Sequence, residues 1–265
     1  KIKTLVIEQH QSLYLDELES LIIKVNLFGF HFASLDIRQN SKIHDAVFKD
    51  IYDFYIKSNE SVFPKNYYDL SEQDKFEVLS NVKGALNPDD FENEITRLTI
   101  ESIQAIKVIQ GNNGELGANR YIISNNENAL NVMETFALIR LSDWENPTVD
   151  VVPLFESVDD LLNAHNVMEQ LYTNPVYANH LVNREMKQTI MLGFSDGTKD
   201  GGYLMANWSI YKAKEELTAI SRKYGIKVIF FDGRGGPPSR GGGKTHKFYA
   251  SLGPKIENNR NQITV

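Results

Sequence analysis

The stretch TIMLGFSDGTKDGG, Thr189 to Gly202, decides the fold of this chain. It opens on β-branched and apolar residues with no polar alternation, the pattern of a strand buried on both faces. It then breaks into glycine, acid and lysine. A helical pattern follows at once, Tyr203 to Tyr224, with Leu204, Trp208, Tyr211, Leu217 and Ile220 on one stripe and Gly225 just past its end. A doubly buried strand, a polar turn and a long helix are the parts of one parallel β/α unit.

The same order recurs on either side. Strands are expected at Leu27 to Ile37, Arg120 to Ser124, Val149 to Phe155, Thr189 to Phe194 and Lys227 to Phe231, and Ile263 to Val265 starts another. Helices are expected at Glu94 to Ile109, with Ile95, Leu98, Ser102, Ala105, Ile106 and Ile109 as the apolar stripe, and at Val158 to Leu171, with Leu161, Leu162, His165, Met168 and Leu171. From Arg120 onward the strands are spaced by about thirty to forty residues, as in (β/α) barrels. The stretch Asn40 to Asn93, rich in tyrosine and phenylalanine but without a strong strand, reads as a helical insertion. The expected fold is α/β: a partial TIM-type (β/α) barrel with additional helices, one unit over residues 1–265, incomplete at both ends.

Composition narrows the function classes. The chain has 265 residues, a net charge of −7 and no cysteine. Disulfides, thiolate metal sites and cysteine nucleophiles are excluded. An acidic chain lacks the basic face of a general nucleic-acid binder, and no apolar run approaches the roughly 20 residues of a membrane span. No nucleic acid and no membrane are expected as partners, and the expected location is cytoplasmic. Lys1 to Val6 lacks the apolar core of a secretory signal, and the chain does not begin with methionine. It reads as a piece of a longer protein.

In a (β/α) barrel the chemistry lies at the C-terminal ends of the strands, and four of the expected strands here end in charge. Asp36, Arg38 and Gln39 stand at the end of the first; Glu156 ends the run VVPLFE; Asp196, Lys199 and Asp200 follow Phe194; Asp232 to Lys244 follow Phe231. Carboxylates beside guanidinium groups suit a hard divalent cation together with a phosphate or carboxylate ligand. Glu156 and Asp196, one β/α unit apart, would converge on the mouth and share a magnesium or manganese ion. The competing assignment makes Glu156 a helix N-terminal acid for the segment at Val158 and Asp196 a capping residue. The run Gly233 to Lys244 holds six glycines with Arg234 and Arg240, which lets backbone approach an anion and offers bidentate contacts. It is not a nucleotide P-loop, because Pro238 stands where the first glycine of GxxxxGK[ST] is required. No histidine pair has metal-ligand spacing.

At these loops the sequence resembles phosphoenolpyruvate carboxylase. The residues that carry the likeness are Phe28-Gly29-Phe30 leading into LDIRQNS, Tyr121 to Ser124, VVPLFESVDDL, MLGFSDGTKDGGYLMANWSIYKAKEEL and FDGRGGPPSRGGGKTH, in that order. The resemblance implies a central piece of the enzyme that converts phosphoenolpyruvate and bicarbonate to oxaloacetate and phosphate, and a homotetrameric parent. It assigns metal ligation by Mg2+ or Mn2+ to Glu156 and Asp196, and substrate contacts to Arg38, Arg234 and Arg240. The catalytic part falls to Arg240, Lys199 and Asp200. The chain departs from the family pattern at Asp232, where the family has histidine, and at Ser239, where it has glycine; the first change is expected to remove a cation near the phosphate. The family's catalytic histidine motif, TAHPT, is absent from these 265 residues, so the isolated piece is expected to be inactive. The alternatives are another phosphoenolpyruvate- or pyruvate-handling barrel, or a non-catalytic module that binds metal and phosphate.

Overall fold

A computed structural model describes residues 1–58, 60, 62–233, 243–258 and 261–263. Among these, six strands form one all-parallel sheet in sequential order: β1 (Leu35–Asn40), β2 (Ala118–Ser124), β3 (Asp150–Phe155), β4 (Lys187–Leu192), β5 (Lys227–Asp232) and β6 (Asn261–Ile263). Sequential parallel neighbours, each reached through helix, give a half-barrel of the (β/α) type.

Alternation along the strands separates two apolar layers. Ile122, Val152, Leu154, Met191 and Phe231 form a small inner cluster. Their neighbours Tyr121, Ile123, Val151, Phe155, Ile190, Leu192 and Phe230 join the large core between sheet and helices. This double burial is why the strand runs read as continuously apolar.

The outer layer is built from α6 (Ala129–Leu141), α7 (Val158–Thr173), α8 (Pro175–Asn183) and α9 (Phe194–Lys223). α7 starts where Ser157 and Asp160 exchange hydrogen bonds in a capping box. Ahead of β2 lie α3 (Ser41–Ser58), α4 (Glu72–Asn81) and α5 (Glu94–Asn113). Here Phe63 packs edge to face with Phe48, Tyr52 and Tyr67 in a local aromatic core. No helix among the described residues is long and apolar enough to cross a membrane.

The structure corrects three expectations. The first strand is Leu35–Asn40, not Leu27 to Ile37; before it come α1 (Ile2–Gln9) and α2 (Leu15–Phe28), and Gly29 reverses the chain at φ 51°. LDELESLIIKVNLF spaces its leucines and isoleucines for a helix, and the aromatic residues that follow, Phe30 and Phe32, pair with no strand. Second, Ser195 to Gly202 is not a loop. It is the first part of α9, which continues through a kink at Gly202 (φ 77°, ψ 168°). Its glycines and acids favour turns in isolation, but Phe194 is anchored in the core at 5 % exposure and Gly197 packs on the Glu156 carbonyl. Third, two apolar stripes lie elsewhere. α5 buries Thr96, Thr99, Ile100, Ile103 and Ile106, leaving Ile95 and Leu98 exposed, and Leu204 and Trp208 of α9 are exposed. With apolar residues on several faces, periodicity alone does not set the phase of a helix.

Candidate metal and anion site

Period-2 alternation carries the inner face of the sheet upward into the site. Arg38 of β1 lies in register with Ile122, an inner-cluster residue. Glu156, Gly193 and Gly233 each come two residues after inner positions Leu154, Met191 and Phe231. Together with Phe194, Ser195, Asp196 and Lys199 they line a cleft of about 430 Å³ at the C-terminal ends of the strands, floored by Leu154 and Met191. A hollow of about 860 Å³ lined by Tyr55, Phe63, Leu70 and Val82 lies among the helices, away from the strand ends; size alone does not locate the site.

Glu156 is held from two sides. The backbone N–H of Asn125 donates to its Oε2 at 2.9 Å, and Arg38 Nη2 reaches its Oε1 at 3.3 Å. Asn125 can aim its N–H there because it sits at φ 54°, a conformation asparagine tolerates better than most residues. The helix-acid assignment for Glu156 does not describe its contacts: Ser157 caps α7, and Glu156 turns to the cleft.

Asp196 occupies the first turn of α9, where the helix dipole favours an acid, and Lys199 Nζ lies 2.7 Å from its Oδ1. The pair is open to water, Lys199 at 77 % and Asp196 at 51 % side-chain exposure, so both groups are free to exchange this contact for a ligand. Asp200 is directed elsewhere. Its Oδ2 accepts the backbone N–H of Val158 at 3.2 Å, bracing the start of α7, and it is not among the residues lining the cleft. Arg234 and Arg240 lie outside the described residues, as does Ser239.

The glycines beside Glu156 are a signal that residue chemistry alone does not reveal. A Cβ on Gly193 would sit 3.2 Å from Glu156 Cγ and 3.3 Å from its Cα, and one on Gly197 would sit 3.3 Å from its carbonyl oxygen. Bare backbone lets α9 close against the acid and leaves its carboxylate facing the cleft. The donors that remain are carboxylate oxygens, which suit magnesium or manganese. Among the described residues no group of three or more acids or histidines forms a ready-made metal cage.

Asp232 is not at the mouth. Alternation turns it to the helical side, where its side chain is fully buried against Lys214 of α9, Nζ to Oδ1 2.8 Å. Asp232, where the resemblance would put a histidine, does not line the cleft among the described residues and is paired with its own buried cation, Lys214.

A family model described as phosphoenolpyruvate carboxylase matches residues 2–265. Among curated proteins, the chain is similar to the phosphoenolpyruvate carboxylases of Nitrosomonas eutropha (34 % identity, covering 97 % of this chain and 28 % of that protein), Nitrosomonas europaea (33 %, 91 % and 27 %) and Gloeobacter violaceus (36 %, 87 % and 25 %). The chain thus spans little more than a quarter of the length of the relatives it matches.

Proposed function

This chain belongs to the phosphoenolpyruvate carboxylase family, and from that premise we propose that its strand-end cleft is where phosphoenolpyruvate and bicarbonate meet around a divalent cation. The observation that carries this reading is the pairing of two acids with two bases around one cleft: Glu156 with Arg38, and Asp196 with Lys199. Left alone, such a set neutralises itself. Offered a cation and a multiply charged anion, it can divide, the acids turning to the cation and the bases to the anion.

Glu156 and Asp196 would hold magnesium or manganese, which when bound supplies Lewis-acid neutralisation of the charge developing on phosphate and enolate oxygens. Arg38 and Lys199 would orient the phosphate and carboxylate by charge-assisted contacts. Arg234 and Arg240 are assigned further anion contacts by resemblance. In the whole enzyme a bicarbonate oxygen attacks phosphorus and the bond from phosphorus to the enol oxygen breaks, leaving carboxyphosphate and the enolate of pyruvate. Carboxyphosphate then releases phosphate and carbon dioxide, and the enolate carbon bonds to that carbon dioxide, giving oxaloacetate. Asp200 serves this site by fixing the start of α7 rather than by touching substrate. The parent protein would work in the cytoplasm as a homotetramer.

The test is Mn2+ binding to the purified chain, followed by electron paramagnetic resonance. One site is expected, weakened at least about tenfold by Asp196→Asn or Glu156→Gln, as loss of one charged ligand implies. Binding that neither substitution alters would overturn the assignment. Supplied with phosphoenolpyruvate, bicarbonate and magnesium, the chain alone is expected to make no oxaloacetate; turnover that Asp196→Asn abolishes would show that these residues suffice for the reaction.

A further inference from the structure

The position where the chain departs from the family's histidine holds an ion pair that nothing at the cleft explains. Asp232 ends β5 and Lys214 lies in the C-terminal half of α9, and their side chains are 0 % and 1 % exposed. Lys214 Nζ is 2.8 Å from Asp232 Oδ1 and 2.9 Å from Oδ2, and it sits over the rings of Phe230 (5.2 Å) and Tyr249 (5.7 Å). The Tyr249 hydroxyl donates to Oδ2 at 2.7 Å. Burial, and then the Asp232 carboxylate, raise the Tyr249 hydroxyl far above its ordinary range, so it remains a donor throughout the working pH range.

A buried charge pair is a poor route to stability, because an apolar pair of similar volume often does as well. What it supplies here is connection. Asp232 is followed directly by Gly233, which lines the cleft and whose Cβ would sit 3.1 Å from the Leu192 carbonyl. Tyr249 belongs to α10 (Thr245–Ala250), and the Asp232–Tyr249 contact closes a separation of 17 residues. One carboxylate therefore ties the end of β5 to α10, on either side of the segment 234–242, and Lys214 holds that carboxylate in place.

We propose that Lys214, Asp232 and half-buried Tyr249 form a positioning clamp around the buried Asp232 carboxylate, with Lys214 the residue that keeps α10 docked on the end of β5 beside the cleft. The relevance of the clamp to anion binding rests on the function proposed above; the clamp itself does not.

The test is limited trypsin digestion of the folded chain, following cleavage after Lys247 inside α10, alongside thermal unfolding. Tyr249→Phe removes only the hydroxyl. It is expected to speed that cleavage about tenfold or more, the consequence of losing a hydrogen bond to a charged group, with little change in the midpoint of global unfolding. Lys214→Met should speed it as well and lower the midpoint. Should Lys214→Met fail to fold, the double variant Lys214→Met/Asp232→Leu replaces the charges by apolar groups; it is expected to recover the midpoint yet keep the fast cleavage. A merely structural pair would recover both. Wild-type cleavage rates in Tyr249→Phe and in the double variant would overturn the clamp. Mn2+ binding by the same variants is expected to match wild type. A wild-type chain that binds no Mn2+ would sink the cleft assignment while leaving the cleavage result standing.

Discussion

Glu156 owes its position to atoms that are missing as much as to atoms that are present. Gly193 and Gly197 leave room for it, Asn125 donates to it, and Arg38 balances it. Adding a methyl group at Gly193 forces the Glu156 side chain or α9 to give way, an overpacking effect on the order of 1–3 kcal/mol. Gly193→Ala should therefore lower both the unfolding midpoint and Mn2+ affinity, whereas an unchanged affinity would mean that the acid does not depend on this close approach. Arg38→Gln should act in the opposite direction on the cation. It removes a positive charge that competes for Glu156, and since exposed pairs contribute about 0–1 kcal/mol, Mn2+ affinity should rise up to several-fold in the absence of phosphate. Titration with Mn2+ checks the sign; weaker binding would make Arg38 a support for the cation site rather than its competitor.

Among the elements, α9 carries most of the site's organisation. Its first two turns present Asp196 and Lys199, its C-terminal half supplies Lys214, and Gly202 bends it between the two. Gly202 adopts φ 77° with ψ 168°, a region open essentially to glycine, although a Cβ there would meet no neighbour within 4 Å. Gly202→Ala thus isolates backbone strain from crowding and should destabilise the chain by about 1–3 kcal/mol, read from denaturant unfolding; a neutral effect would show that the kink relaxes at no cost. The strand–turn–helix order around α9 was legible in TIMLGF and in the periodicity after Tyr203. The helical state of Ser195 to Gly201 was not, because local propensity favours a turn and only packing of Phe194 and Gly197 against the sheet overrides it.

Across the whole molecule, burial leaves titratable groups in states that link folding to pH. Burial lowers His44 to about 4, where its ring bridges the Tyr121 and Thr135 hydroxyls, and lowers His180 to about 3 within a pocket of Phe136 and Tyr177. Both are neutral in the folded chain and take up protons near the ordinary histidine value of about 6.5 once unfolded. The unfolded state then binds more protons below that value, so their contribution is complete above pH 6.5 and is lost as pH falls toward 4 and 3. The loss approaches about 1.4 kcal/mol per pH unit for each histidine. Unfolding free energies measured between pH 7 and 5 should show this slope, and His44→Gln should reduce it by about one proton; an unaltered slope would mean that His44 is not held neutral by the fold.

The strand runs from Arg120 onward, the helices α5, α7 and most of α9, and the polar residues after most of the strands were present in the linear order, because parallel strands buried on both faces must be apolar throughout and the chemistry of such a sheet gathers where the strands end. That order was enough to put Arg38, Glu156, Asp196 and Lys199 near strand ends, and the structure brings these four to one cleft. The order could not choose the side to which each residue turns. Asp232 and Gly233 are adjacent, yet one is buried against Lys214 and the other lines the cleft, because successive strand residues face opposite layers and the register is set by the neighbouring strands. Asp200 likewise belongs to the start of α7 through a single hydrogen bond to Val158, 42 residues away in sequence. Such partners are joined only when sheet and helices pack, and it is the packing that separates the acids facing the cleft from the one that braces a helix.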